Sequence, residues 1–111
     1  MYSIKASPAF KLSLDRLISF LERKYSSELA KTTRKQIKSK IKSTLVNQPF
    51  SAPVSPRLLD MGIDIYRQLA VDEHNLVFYK VDEESKTVVL LAVIDSRQSI
   101  ENLLYEIMIS L

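Results

Sequence analysis

Two apolar runs, Leu76 to Val81 and Thr87 to Ile94, stand on either side of the polar stretch Asp82 to Lys86. Runs rich in Val, Leu, Tyr and Phe with a short polar break between them predict an antiparallel hairpin. The second run is apolar at nearly every position, which marks an interior strand rather than an edge. Arg97 follows its end by three residues, where a last helix is expected to begin, so the hairpin register carries this arginine to the rim of a sheet.

The remaining elements fall into place around that hairpin. Tyr2, Ile4 and Ala6 alternate within Met1 to Ala6 and predict a first strand. Ser7-Pro8 reads as a helix start, because serine accepts from free amides and proline at the first helical position wastes no N–H. Phe10, Leu14, Leu17, Ile18, Leu21 and Tyr25 then form one apolar face. Ser26-Ser27 ends this helix or caps a second, expected from near Ser27 to about Asn47, with Ala30, Ile37, Ile41 and Leu45 inward. Pro49, Pro53 and Pro56 predict an irregular surface connection from Gln48 to Asp64. Ile65 to Val71 alternates as a strand, Asp72 to Asn75 forms a polar turn, and Ser99 caps a helix over Ile100 to Ser110 with Leu103, Leu104, Ile107 and Met108 inward. The expected order is β-α-α-β-β-β-α. This is an α+β domain spanning 1–111, a curved antiparallel sheet packed against a two-helix hairpin with a short C-terminal helix.

An apolar fraction of 46% is ample for a core without disulfide or metal, and the sequence holds no cysteine. Thiolate chemistry is excluded, and a reducing cytoplasm is the expected location. The stretch Met1-Tyr-Ser-Ile-Lys5 lacks the pattern of a signal peptide, and no run has the length of a membrane span. The only glycine is Gly62, so a glycine-loop nucleotide site is out. No cofactor and no metal site is expected, since His74 has no second histidine or cysteine near it in a ligand spacing.

The net charge of +3 conceals an asymmetry. Residues 1–48 carry eleven Lys or Arg against three acids, a balance of +8, and residues 49–111 carry five against ten, a balance of −5. Lys31, Lys35, Lys38 and Lys42 follow at intervals of four, three and four, forming a row about a quarter-turn from the apolar stripe. Such a row suits an acidic partner, whether nucleic acid or an acidic protein segment, or else serves solubility. Arg97 either contacts a target or pairs with Asp95 or Glu101 as a strand-end charge; an outward-facing Arg97 would be removable without loss of stability. Arg67 either contacts a target, snorkels outward or bridges to Asp72. Tyr66, Phe78 and Tyr79 read as packing residues. Asp82-Glu83-Glu84 reads as a solvated turn.

The element order, the length and several motifs together resemble the RelE/ParE superfamily of toxins from bacterial toxin–antitoxin pairs. Met1-Tyr-Ser-Ile-Lys-Ala-Ser-Pro8 resembles the family's opening strand and helix start. Ile65-Tyr-Arg-Gln-Leu69 resembles its middle strand, Asn75 to Glu84 its hairpin, and Val88 to Arg97 its closing strand. The resemblance implies growth arrest through a cellular target and neutralisation by a cognate antitoxin. That antitoxin would bring an acidic or amphipathic segment onto the basic helices and the sheet.

RelE-like members imply ribosome-dependent mRNA cleavage, whose set would map here to Arg67, Arg97 and Tyr105. Leu69 and Asn75 stand where two further cations are expected, and Tyr105 lies about two residues beyond the family's usual tyrosine. ParE-like members imply inhibition of DNA gyrase by binding. With two of four cations replaced, the ParE-like reading is preferred, Arg97 being the target-binding candidate and the four lysines the partner-binding candidates. A nucleic-acid-binding domain without toxicity is the remaining alternative.

Overall fold

The computed structural model describes residues 1–97 and Tyr105. Strand β1 (Ser3–Ala6) leads into helix α1 (Pro8–Lys24) and helix α2 (Ser27–Leu45). A short helix α3 (Pro56–Asp60) follows, then strands β2 (Arg67–Ala70), β3 (Asn75–Asp82) and β4 (Thr87–Asp95). The sheet order is β1-β4-β3-β2. The expected helix over Ile100 to Ser110 lies outside the described residues, Tyr105 apart.

Local chemistry sets the helix boundaries. Ser7 accepts from the Phe10 amide at 3.0 Å and Pro8 opens α1. Ser26 likewise accepts from the Leu29 amide at 3.0 Å and opens α2. Phe10, Leu14, Leu17, Ile18 and Leu21 are buried as expected, but Tyr25 is 45% exposed. It is the C-terminal cap of α1, where the backbone leaves helical geometry and turns the ring off the apolar face.

Two features of the fold differ from expectation. Pro56 does not break regular structure but starts α3, because Ser55 caps the Leu58 amide and proline occupies the first turn, where its missing N–H costs nothing. The sheet is also not wholly antiparallel: β1 pairs with β4 in parallel, Ser3 opposite Thr87 through Ala6 opposite Leu90. The α1–α2 hairpin returns the chain far enough to permit that parallel addition.

Beyond Ala6 the open edge of β4 is closed by α1. The Ser7 amide donates to Leu90 O at 3.1 Å, and buried Ser13 accepts from the Val93 amide at 3.0 Å while donating to Phe10 O at 2.8 Å. Opposite β3, Phe78 pairs with Ala92 and Tyr79 with Leu90, so Leu91 is an extra residue in a β-bulge. The bulge puts Leu91 and Ala92 into the same cluster with Phe78, Tyr66, Leu58 and Ile94. The other face of the sheet, Val77, Tyr79, Val88, Leu90 and Val93, packs on α1 and α2. Burial on both faces makes β4 the interior strand that its composition predicted.

Candidate functional site

Arg97 lies just past β4, and its surroundings decide what it does. Its Nε donates to Asp95 Oδ1 at 2.8 Å, its Nη2 to Asp95 Oδ2 at 2.5 Å, and its backbone N–H to Asp95 Oδ1 at 2.7 Å. The guanidinium carbon sits 4.7 Å from the centre of the Tyr25 ring. Asp95 is completely buried, and its bidentate bonds to Arg97 hold the guanidinium charged far above any accessible pH. Of the two readings of Arg97, the strand-end pair with Asp95 is therefore present in the structure. The expectation of a removable outward arginine gives way, because removal would take two charge-assisted bonds from a buried carboxylate.

Beside this pair, Asn75 fills the start of β3. It is 2% exposed and donates through its side-chain amide to both oxygens of Asp72, at 3.0 and 2.9 Å. The backbone amides of His74 and Asn75 also donate to Asp72 Oδ1, at 2.8 and 2.9 Å. Partial burial pushes the Asp72 carboxyl up, but these donors outweigh it and hold the carboxyl below its ordinary range. Among the described residues, Asn75 Oδ1 is buried without a hydrogen-bond partner. His74 is a turn residue, and no cluster of metal-ligating side chains occurs among the described residues.

Arg67 neither snorkels freely nor bridges to Asp72. Its Nη1 donates to Ala52 O at 2.6 Å and to Phe50 O at 3.4 Å, and the guanidinium stacks 5.0 Å over the Phe50 ring. Tyr79, buried beside it in the sheet, donates to Pro49 O at 2.7 Å. Burial pushes the Tyr79 phenol up, with the Arg67 charge pulling partly the other way. The two side chains fasten the connection after α2 onto the sheet.

Register shows how far apart the two arginines lie. Arg67 is level with Tyr79 in the middle of β3, whereas Asp95 is level with Asn75 at its start. Four residues of strand separate those levels by about 13 Å. Arg67 and Arg97 are thus not brought together on one phosphate, and Leu69 is in the core. Tyr105 is 62% exposed.

The lysine row is exposed throughout, and its members border two different concavities. Lys38 and Lys42 border an apolar groove of about 640 Å³ between α2, α1 and the edge strand β1, whose floor includes Ile4, Phe10, Leu14, Ile41 and Leu90. Lys35 borders a shallow trough of about 470 Å³ towards the β2–β3 turn, with Gln36, Ser39, Lys40, Ser43, Val71 and Asp72. Sequence alone missed the groove. Its only sign was that the alternating Tyr2, Ile4 and Ala6 face an edge strand, where half-burial replaces full burial.

Comparison with known proteins assigns the family. Residues 4–100 match the family model described as the ParE toxin of type II toxin–antitoxin systems, parDE. The chain belongs to the ParE toxin family. Its fold is similar to that of the chromosomal ParDE toxin–antitoxin system of P. aeruginosa, with a TM-score of 0.68 at 16% identity over 86% of this chain and 96% of that one. It is also similar to the isolated E. coli RelE toxin, with a TM-score of 0.57 at 15% identity over 97% and 99% of the two chains. A RelBE toxin–antitoxin complex from Mycobacterium tuberculosis gives 0.52 at 15% identity over 85% and 96%. At these identities the likeness establishes the shared α+β fold. No curated protein sequence matches. Among the described residues, no helix is long and apolar enough to cross a membrane.

Proposed function

We propose that this ParE-family chain arrests growth by binding DNA gyrase, and that a cognate antitoxin neutralises it by seating an amphipathic segment in the groove beside β1. The observation that carries the binding reading is the state of the two arginines. Arg97 is held by buried Asp95 and Arg67 by the Ala52 and Phe50 carbonyls, at levels four residues apart along β3. Cleavage of RNA through the ribose 2′-hydroxyl needs a base, a proton donor and a charge clamp around one phosphate. Two separated and engaged arginines support a role in shape rather than in chemistry.

The groove supports the antitoxin half of the reading. Its apolar floor suits one face of an amphipathic segment, while Lys38 and Lys42 at its edge suit acidic residues on the other. Controlled induction of the chain in bacteria, with and without its antitoxin, tests the toxin reading, and gyrase supercoiling by the purified chain tests the target. Growth arrest relieved by the antitoxin, together with inhibited supercoiling and intact mRNA on translating ribosomes, is expected. Codon-spaced mRNA cuts on translating ribosomes, with supercoiling unaffected, would replace gyrase with the ribosome as target. Normal growth at verified soluble expression would overturn the toxin reading.

A further inference from the structure

We propose that the outward face of α2 binds the phosphate backbone of duplex DNA. Apart from Lys38 and Lys42, which border both, this surface lies outside the groove assigned to the antitoxin, and it does not depend on the gyrase reading. Helix α2 carries six Lys or Arg against the single acid Glu28. Arg34 approaches Asp15 at 3.7 Å, but Lys31, Lys35, Lys38, Lys40 and Lys42 are exposed and make no ion pair among the described residues. That density of unpaired charge stands out beside the arginines of the sheet, both of which are engaged.

The arrangement around the helix axis narrows the polyanion. Thr32, Gln36, Ser39 and Ser43 form an exposed ridge opposite the buried Ile37 and Ile41, and this ridge is one wall of the shallow trough whose other wall is Val71 and Asp72. Lys35 and Lys40 stand on its two flanks, about 140° apart around the axis. Small polar side chains on the ridge let phosphates approach, and cations on both flanks meet phosphates on both walls of a groove. The major groove of B-form DNA, about 12 Å wide, admits a helix in this way, whereas the corresponding groove of A-form RNA is too narrow. The ridge bears no aromatic ring on which unpaired bases would stack, which argues against a single strand. Asp72 borders the trough beside Lys35 and Lys40, but both its oxygens are turned onto Asn75. Recognition would be of the backbone and without sequence preference.

Fluorescence anisotropy of the full-length chain with a labelled 20-base-pair duplex of arbitrary sequence tests this, from 25 to 200 mM NaCl, with circular dichroism confirming the fold of each variant. Micromolar binding at 50 mM NaCl is expected, and Lys35→Gln/Lys40→Gln should weaken it at least about tenfold. Because each phosphate contact adds about −0.9 to the slope of log K against log salt, this pair should also flatten the slope by about 1.8. The control Lys5→Gln/Lys11→Gln removes equal charge from exposed positions off α2 and should change affinity less than about twofold. Equal losses in the two pairs would reduce the effect to net charge and overturn the proposal. So would an absence of binding at 50 mM NaCl, or single-stranded RNA of the same length binding as tightly as the duplex.

Discussion

The strand arginines and the α2 lysines carry the same charge under opposite constraints. Arg67 and Arg97 sit where the sheet meets irregular backbone, each engaged by local acceptors: loop carbonyls for one, a buried carboxylate for the other. The lysines project from a helix whose own carbonyls are satisfied within it, so no local acceptor claims them. A planar guanidinium with five donors suits the first setting, and a hydrated point charge on a flexible stem suits the second. The cations that a sequence reader would first assign to chemistry are therefore the ones holding the fold together. Those easily dismissed as solvation are the ones free to meet a partner.

The largest expected effect that would break this contrast comes from Arg97. Replacing it with alanine should destabilise the chain by about 3 kcal/mol in urea unfolding, since it takes both guanidinium bonds from the buried carboxylate of Asp95. A loss under about 0.5 kcal/mol would return Arg97 to the class of ordinary surface cations. Arg67→Ala should cost about 1–2 kcal/mol through the freed Ala52 and Phe50 carbonyls, and amide hydrogen exchange should show the segment between α2 and α3 opening first. Lys38→Glu/Lys42→Glu should leave unfolding within about 0.5 kcal/mol of the parent. The same pair should weaken antitoxin binding about tenfold or more, mainly at low salt, as isothermal titration would show.

A smaller effect concerns pH. The carboxyl of Asp72 is lowered in the folded chain, so its contribution to stability is complete above its unfolded value, about 4, and is lost as pH falls through the folded value. Acid should loosen the β2–β3 turn selectively, read as faster exchange of the His74 and Asn75 amides. Asp72→Asn should remove that pH dependence.

Legibility in the sequence followed the range of each interaction. The caps at Ser7 and Ser26, the apolar faces of α1 and α2, and the hairpin from β3 to β4 rest on neighbours a few residues apart, and each was readable. Pro56 misled because proline has opposite meanings in a helix interior and in its first turn, and only the cap at Ser55 distinguishes them. The parallel pairing of β1 with β4 was invisible because its partner lies at the far end of the chain. The pairing of Arg97 with Asp95 was one of two readings open at two residues' separation. The acceptors of Arg67 are backbone carbonyls in an irregular connection, which leave no signature in side-chain identity. Likewise, the row of four lysines was readable from its spacing, whereas its division between a groove and a trough depends on what the neighbouring elements place beside it.

The parallel pairing of β1 with β4 also bears on when this molecule can become competent during its own synthesis. The groove beside β1 takes Ile4 from the first strand and Leu90 from the last, so it does not exist until β4 has emerged and closed against the N-terminus. Until then the nascent chain exposes the apolar side of α1 and α2 with nothing to cover it, and contacts of such long sequence separation form late in folding. An antitoxin already present in the cell would thus meet the docking surface proposed for it at the moment the fold completes, and a chain cut short before Thr87 would have neither the groove nor the interior strand.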